Sequence, residues 1–450
     1  MTHPSPTTAT ASTPARLLPA AIALGFWGAM VVWTTWFVTH LPWTGLAAPV
    51  QTAITVVAWV LTMVWTGREA ASVAAAARLG AASGLVTSLI GLLLLGAKLG
   101  GEETDTRPSG LLIGGTFLLM GTLIGAGGMA AGRAVLPSSN RARDWHSCLS
   151  LAVVCIAAPL LFVGGLVTST NSGMAVPDWP ATYGMNMFLY PLGTAPTDVF
   201  LEHSHRLFGA FLGLATLTLM VVTWTTGRSM GIKVFATLIF LAVLAQGIVG
   251  GVRVQQGHVD PELDNRWNSM FHGIGAQLIF AALVAFWTAS TPLWKEASPD
   301  ADAPAARRLR IFAAAAMHTT IIQMIFGAMY RHLQSSHALW SHIGFSLLVV
   351  VLAALAGFMA IRQRENVREG WDASGALKRR IATTGTLLVG VVLFQFLMGW
   401  VVFGFSRHDI RTDSPGLAVL RTLHQANGAL MLATCTVLMV LSRRLAPRKK

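Results

Sequence analysis

The chain is 450 residues long, 54% hydrophobic and only 11% charged, against about 25% charged in an average soluble domain. So few polar side chains cannot cover a water-soluble globule, which excludes a soluble enzyme. The formal net charge is +13, from 32 Lys and Arg against 19 Asp and Glu, and its meaning depends on where along the chain the basic residues fall.

Residues 1–16 are rich in Thr, Pro and Ala. They read as a disordered tail without the basic start of a signal peptide. Twelve apolar stretches follow, each long enough to cross about 30 Å of hydrocarbon as a helix. They run over 17–39, 47–66, 76–98 and 110–132, then 148–168, 203–225, 232–254 and 268–290, and finally 310–330, 338–361, 380–403 and 418–442. The expected fold is therefore an all-α integral membrane protein of twelve transmembrane helices. Its last eight helices are read as two pseudo-symmetric four-helix bundles. The expected parts are an extra four-helix region (17–140), a first bundle (145–290), a linker (291–309), a second bundle (310–442) and a basic tail (443–450).

With the N-terminus placed in the cytoplasm, most Lys and Arg residues fall in the inner segments, including Arg141, Arg143, Arg307, Arg308, Arg379, Arg380 and the C-terminal tail. That asymmetry puts both termini inside and turns the positive charge into a topology marker. The long outer loop 169–202 contains no Lys or Arg and carries Pro, Trp, Tyr and Asn instead. A loop of this length is often functional.

The last eight helices look like a weak internal repeat. The first four carry Gly164-Gly165, His205, Gln246 with Gly250, and His272; the second four carry Gly327, His342, Gln395 with Gly399, and His424. Each of the four histidines is expected in the first turn or two of a helix that starts on the outer face. A single histidine there is ordinarily an interfacial residue; four at matched places fit that reading poorly. Histidines on facing helices can ligate one heme iron from both sides, so two pairs imply two heme positions. Glu202 precedes His205 by three residues and shares its helical face. A carboxylate there can act as a base, a nucleophile or a charge stabiliser, or simply interact with the helix dipole. Arg206, Arg253, Arg331 and Arg421 gather near the outer helix ends, where heme propionates would need partners. Cys148, Cys155 and Cys435 show neither CxxC nor zinc spacing and read as packing residues.

Residues 163–180, Val-Gly-Gly-Leu-Val-Thr-Ser-Thr-Asn-Ser-Gly-Met-Ala-Val-Pro-Asp-Trp-Pro, resemble the first-loop signature of the heme A synthase family. Residues 181–191, the segment Glu202-His203-Ser204-His205-Arg206, the stretch 246–254 and His272 with Gln277 strengthen the resemblance. So do Gly327 to His332 and Arg421 to Ala429. It covers about 145–442. The resemblance implies oxidation of the C8 methyl of heme O to the formyl group of heme A, for cytochrome oxidase biogenesis. It implies a heme b held by His342 and His424, heme O as substrate between His205 and His272, and an essential glutamate at Glu202. Heme O synthase and cytochrome oxidase are the implied partners, with lipid around the chain and no nucleic acid. The bacterial cytoplasmic membrane is the expected location, with the hemes toward its outer face. The outer cysteine pair of some bacterial members is missing from 169–202 and 331–338. His203, two before His205, points about 200° away from it on a helix.

Other readings compete. The histidines alone equally suit a diheme b-type membrane cytochrome that carries electrons without modifying heme. A transporter is disfavoured by the lack of charged residues at mid-helix depth. A prenyltransferase would rest on Asp260 and Asp264 alone, too little acid for a magnesium pyrophosphate site.

Overall fold

The computed structural model describes residues 14–99, 110–139, 143–259, 266–296, 303–364, 373–406 and 414–445. The expected tail therefore lies outside the described residues up to residue 13, as do Asp260, Asp264 and the end of the basic tail. Among the described residues, twelve helices are long and apolar enough to cross a membrane. They are α1 (Pro14–His40), α2 (Ala48–Thr66), α3 (Val73–Leu99), α4 (Gly110–Val135), α5 (Trp145–Ser169), α6 (Thr197–Thr225), α7 (Met230–Val259), α8 (Arg266–Ser290), α10 (Ala303–Leu333), α11 (Ser336–Ile361), α12 (Ala373–Ser406) and α13 (Pro415–Ser442). A short helix, α9 (Pro292–Glu296), lies in the expected linker, and α10 begins inside that linker's far end.

The helices overrun the expected spans mainly at polar ends. α6 starts at Thr197, not 203, and α12 at Ala373, not 380. Hydropathy marks the apolar part of a helix, whereas the backbone ladder continues through a polar first turn. As a result the four histidines stand roughly two turns from their helix starts.

The chain divides into two compact units, one of residues 1–156 and 184–211 and one of residues 157–183 and 212–450. The divisions fall inside α5, in the loop that follows it and inside α6. In the first unit, small residues bring α2, α3 and α4 close together. A Cβ on Gly80 would meet the Gly125 carbonyl, one on Gly84 the Gly121 carbonyl, and one on Gly132 the Val64 carbonyl of α2. Such small-residue seams are how membrane helices associate without a hydrophobic driving force between them. Thr87 Oγ1 donates to Gly25 O of α1 at 3.0 Å. At one end Arg143 grips Glu69 with both Nε and Nη2, at 2.6 and 2.5 Å. That carboxylate raises the Arg143 pKa above its ordinary value.

In the second unit, α10, α11, α12 and α13 pack in a closed ring, each against its neighbours. Their core is built from Leu309, Ala313, Ala316, Val349, Ala353, Ala356, Leu388, Cys435 and Leu438. α8 packs on α7 and also touches α10 and α13. The three cysteines are free.

Candidate functional site: the histidine helices

α11 starts after Ser335, whose hydroxyl caps it by accepting from Ala338 N–H. α13 starts after extended Ser414 with Pro415 at its first position. These two helices carry His342 and His424, whose ring centroids lie 6.3 Å apart with the planes at 75°. Two metal–imidazole bonds of about 2.0–2.1 Å plus two ring radii of about 1.2 Å require about 6.4–6.6 Å between centroids. The separation of the pair is therefore close to what ligation of one metal from both sides needs. Nδ1 of His342 lies 3.0 Å from the Gln323 carbonyl. It must carry the proton and donate there, which leaves Nε2 with the lone pair a metal requires. Among the described residues there is no group of three or more His, Cys, Asp or Glu that could hold a metal ion.

A glutamine and a glycine four residues apart on the preceding helix seat His342 and His424. Gln323 Nε2 donates to His342 O at 2.8 Å, and a Cβ on Gly327 would come 2.9 Å from His342 Cε1. Gln395 Nε2 donates to His424 O at 3.1 Å, its Oε1 accepts from Asn427 Nδ2 at 2.8 Å, and Gly399 faces His424 Cε1 at 3.3 Å from its would-be Cβ. On α7, Gly250 faces His272 in the same way, at 3.2 Å, and Gln246 packs against Gly275 of α8. The sequence reading noticed Gln246 and Gln395 but missed Gln323. Its signal was the same Gln-x-x-x-Gly spacing, repeated a third time.

Around His272 the start of the outer loop is fastened to α7. Arg253 Nη1 donates to Gly173 O at 3.3 Å, Gln255 Nε2 to Trp179 O at 2.7 Å, and the Trp179 indole lies against Gly251. Arg331, at the end of α10, donates to Thr168 O, a carbonyl in the last turn of α5. Arg421 Nε donates to Ser406 Oγ at 3.2 Å.

In the other unit, α6 carries Glu202, His203, His205 and Arg206. Arg206 Nη2 donates to Glu202 Oε1 at 2.7 Å, one helical turn apart, with both side chains nearly buried (8% and 5% exposed). His203 is fully buried with Tyr190 packed on its ring at 5.2 Å between centroids, whereas His205 is only partly buried. Burial raises the Tyr190 phenol pKa. Elsewhere, His332 lies beside Gly273. His146 is buried in α5, and His318 bonds the Ala314 carbonyl one turn back.

The fold and these side chains define a helical membrane protein whose histidines are seated in pairs of adjacent spans. Residues 146–344 match the cytochrome oxidase assembly protein family. The chain is similar to the heme A synthase of Bradyrhizobium diazoefficiens, at 26% identity over 305 residues, which is 54% of this chain and 81% of that protein. It is also similar to that of Geobacillus kaustophilus, at 26% over 277 residues, 56% of this chain and 83% of that protein. The match to that of Exiguobacterium sp. is 30% identical over 181 residues, 40% of this chain and 55% of that protein.

Proposed function

We propose that the protein is a heme A synthase, oxidising the C8 methyl of heme O to a formyl group in support of cytochrome oxidase biogenesis. His205 and His272 are the residues assigned to heme O. Heme b would be held by His342 and His424, whose rings lie 6.3 Å apart between centroids. A heme held there supplies one-electron transfer.

The observation that favours chemistry over a purely electron-carrying cytochrome is the buried Glu202–Arg206 ion pair one turn from His205. A diheme carrier has no need of a carboxylate inside the membrane, where such groups are costly and usually functional. Glu202 orients water toward the methyl carbon or stabilises the positive charge that develops there, and Arg206 keeps that carboxylate compensated while it is buried. Overall one methyl group and one water become a formyl group with loss of four electrons and four protons, in two two-electron steps. The acceptor is a quinone or a redox protein. His205 is the ligand on α6, because the His203 ring is already packed under Tyr190.

The segment 173–179 is fastened to α7 near His272. In the membrane both termini are cytoplasmic, and the histidines lie toward the outer face. The extracted hemes test the reading: expression with a heme O source should yield heme A by mass, beside a low-spin heme b spectrum. Heme b alone, in cells that contain no other source of heme A, would establish the diheme cytochrome instead.

A further inference from the structure

We propose that the N-terminal extension positions the Glu202–His205–Arg206 face of α6 from behind, with Trp33 and Phe37 of α1 as the positioning residues. What that face does rests on the heme A synthase reading; how it is held rests on packing inside one compact unit.

The extension lies outside the matched family region, which starts at residue 146. Even so, its first helix contributes some of the most buried large side chains of the chain, Trp33 and Phe37, together with Phe208 and Phe211 of α6. Trp33 packs on Phe211 at 4.7 Å between centroids and edge-on to Phe208 at 5.5 Å. Phe37 stacks on Phe200 at 5.9 Å and meets Phe208 edge-on at 5.8 Å. Phe26 stacks on Phe211 at 6.2 Å.

At about 100° per residue, Phe200, Phe208 and Phe211 form one stripe on α6, and Glu202, His205 and Arg206 form another about 160° away. The extension therefore grips the back of α6 and leaves the polar face clear. The run into α6 is held as well: Gly96 of α3 abuts the Phe188 carbonyl and the Leu189 side chain, and the 3-10 turn Leu192–Thr194 packs on α3.

In hydrocarbon a helix gains no hydrophobic drive toward its neighbours, so its rotation and depth are set by close packing. Fluid lipid chains against the Phe200–Phe208–Phe211 stripe would leave both unfixed. The Trp33 indole N–H is buried with no acceptor, so the site uses the ring and not the polar group, and Phe should serve in its place.

The test uses the full chain in lipid nanodiscs, with Trp33→Ala/Phe37→Ala, the milder Phe37→Leu and the conservative Trp33→Phe. Hydrogen exchange is read over 197–211 and over 415–442, and kcat and KM are measured for heme O. The double variant is expected to raise exchange in 197–211 by about tenfold or more, with 415–442 unchanged. Its kcat should fall by about 10–100-fold at near-constant KM, as misplacement of a reacting group does. Phe37→Leu should give a smaller change in the same direction, and Trp33→Phe should restore both readouts. Unchanged exchange in 197–211 for both Phe37 variants would overturn the proposal, as would raised exchange with unchanged kcat. If the wild type makes no heme A, the catalytic reading fails separately, and the exchange contrast still decides how α6 is held.

Discussion

Gly327→Ala adds one methyl group at the point where α10 meets the His342 ring. The new Cβ would stand 2.9 Å from Cε1 and 3.2 Å from Nδ1. Carbon–carbon contact is comfortable at about 3.5–4.0 Å, so the ring must retreat by about 0.6–1 Å or tilt. Either movement spoils the 3.0 Å bond from Nδ1 to the Gln323 carbonyl. Losing that bond costs about 1 kcal/mol, and holding the side chain off its rotamer costs about 1 kcal/mol more. Together they correspond to about 30-fold weaker heme binding, inside the 10–100-fold range for losing a group that orients a metal ligand. Helix propensity runs the other way, since Ala favours a helix over Gly by about 1 kcal/mol. The loss therefore cannot be assigned to a weaker α10. Gly250→Ala and Gly399→Ala meet their histidines at 3.2 and 3.3 Å and should lose less. Gly344→Ala, two residues from His342 with nothing within 4 Å of its would-be Cβ, should lose nothing. The assay is heme-to-protein stoichiometry and the low-spin spectrum during transfer to a heme-scavenging protein. Equal retention by Gly327→Ala and Gly344→Ala would refute the claim that His342 is seated by Gly327 and Gln323 for ligation.

Glu202→Gln should retain both hemes in the absorption spectrum and abolish heme A in the extracted fraction; undiminished heme A removes Glu202 from the chemistry. Arg206→Leu leaves the buried Glu202 carboxylate without its ion-pair partner and should cost about 3–5 kcal/mol of stability, read as a lowered Tm. The double variant Glu202→Gln/Arg206→Leu should recover most of that Tm without recovering activity. Gln395→Leu strips the donor from the His424 carbonyl and the acceptor from Asn427, and should weaken heme retention about tenfold or more with little change in heme held elsewhere. Gly84→Val forces α3 off the Gly121 carbonyl of α4, an overpacking change of about 1–3 kcal/mol that should appear as reduced yield and Tm.

The twelve spans were legible because about 20 apolar residues per crossing is a constraint the bilayer imposes on composition. The four histidines stood out for the same reason, since polar side chains are rare in such spans. Helix ends were less legible: Thr197 to Leu201 belong to α6 although their hydropathy is mixed, because a helix end is set by backbone hydrogen bonding. The Gly80, Gly84, Gly121, Gly125 and Gly132 seam was present as spacing but carried no partner, and the pairing of α3 with α4 and α2 is a three-dimensional fact. The link from Trp33 and Phe37 to Phe208 and Phe211 was also hidden. Aromatic residues in a membrane span look alike whether they face lipid or another helix.

The outer arginines need a prediction that separates two uses of one group. The sequence suggests Arg253, Arg331 and Arg421 as propionate partners, and each already donates within the protein. Arg331 bonds Thr168 O in the last turn of α5, a carbonyl that also accepts from Asn171 N–H at 3.4 Å. The bond ties the end of α10 to the end of α5, so it has a structural use whether or not heme is bound. A guanidinium has five donors, however, and one bond to Thr168 does not exhaust it. Arg331→Gln keeps an N–H donor for the carbonyl and removes the charge; Arg331→Lys keeps the charge and loses the planar fork. If tying α10 to α5 is the whole role, Gln should hold the wild-type Tm and heme content. If a propionate is also bound, Gln should keep the Tm but lose heme affinity, by about 1.5–3 kcal/mol for a charged hydrogen bond, and Lys should fall between. Equal Tm, heme content and heme affinity in all three proteins would remove Arg331 from propionate binding.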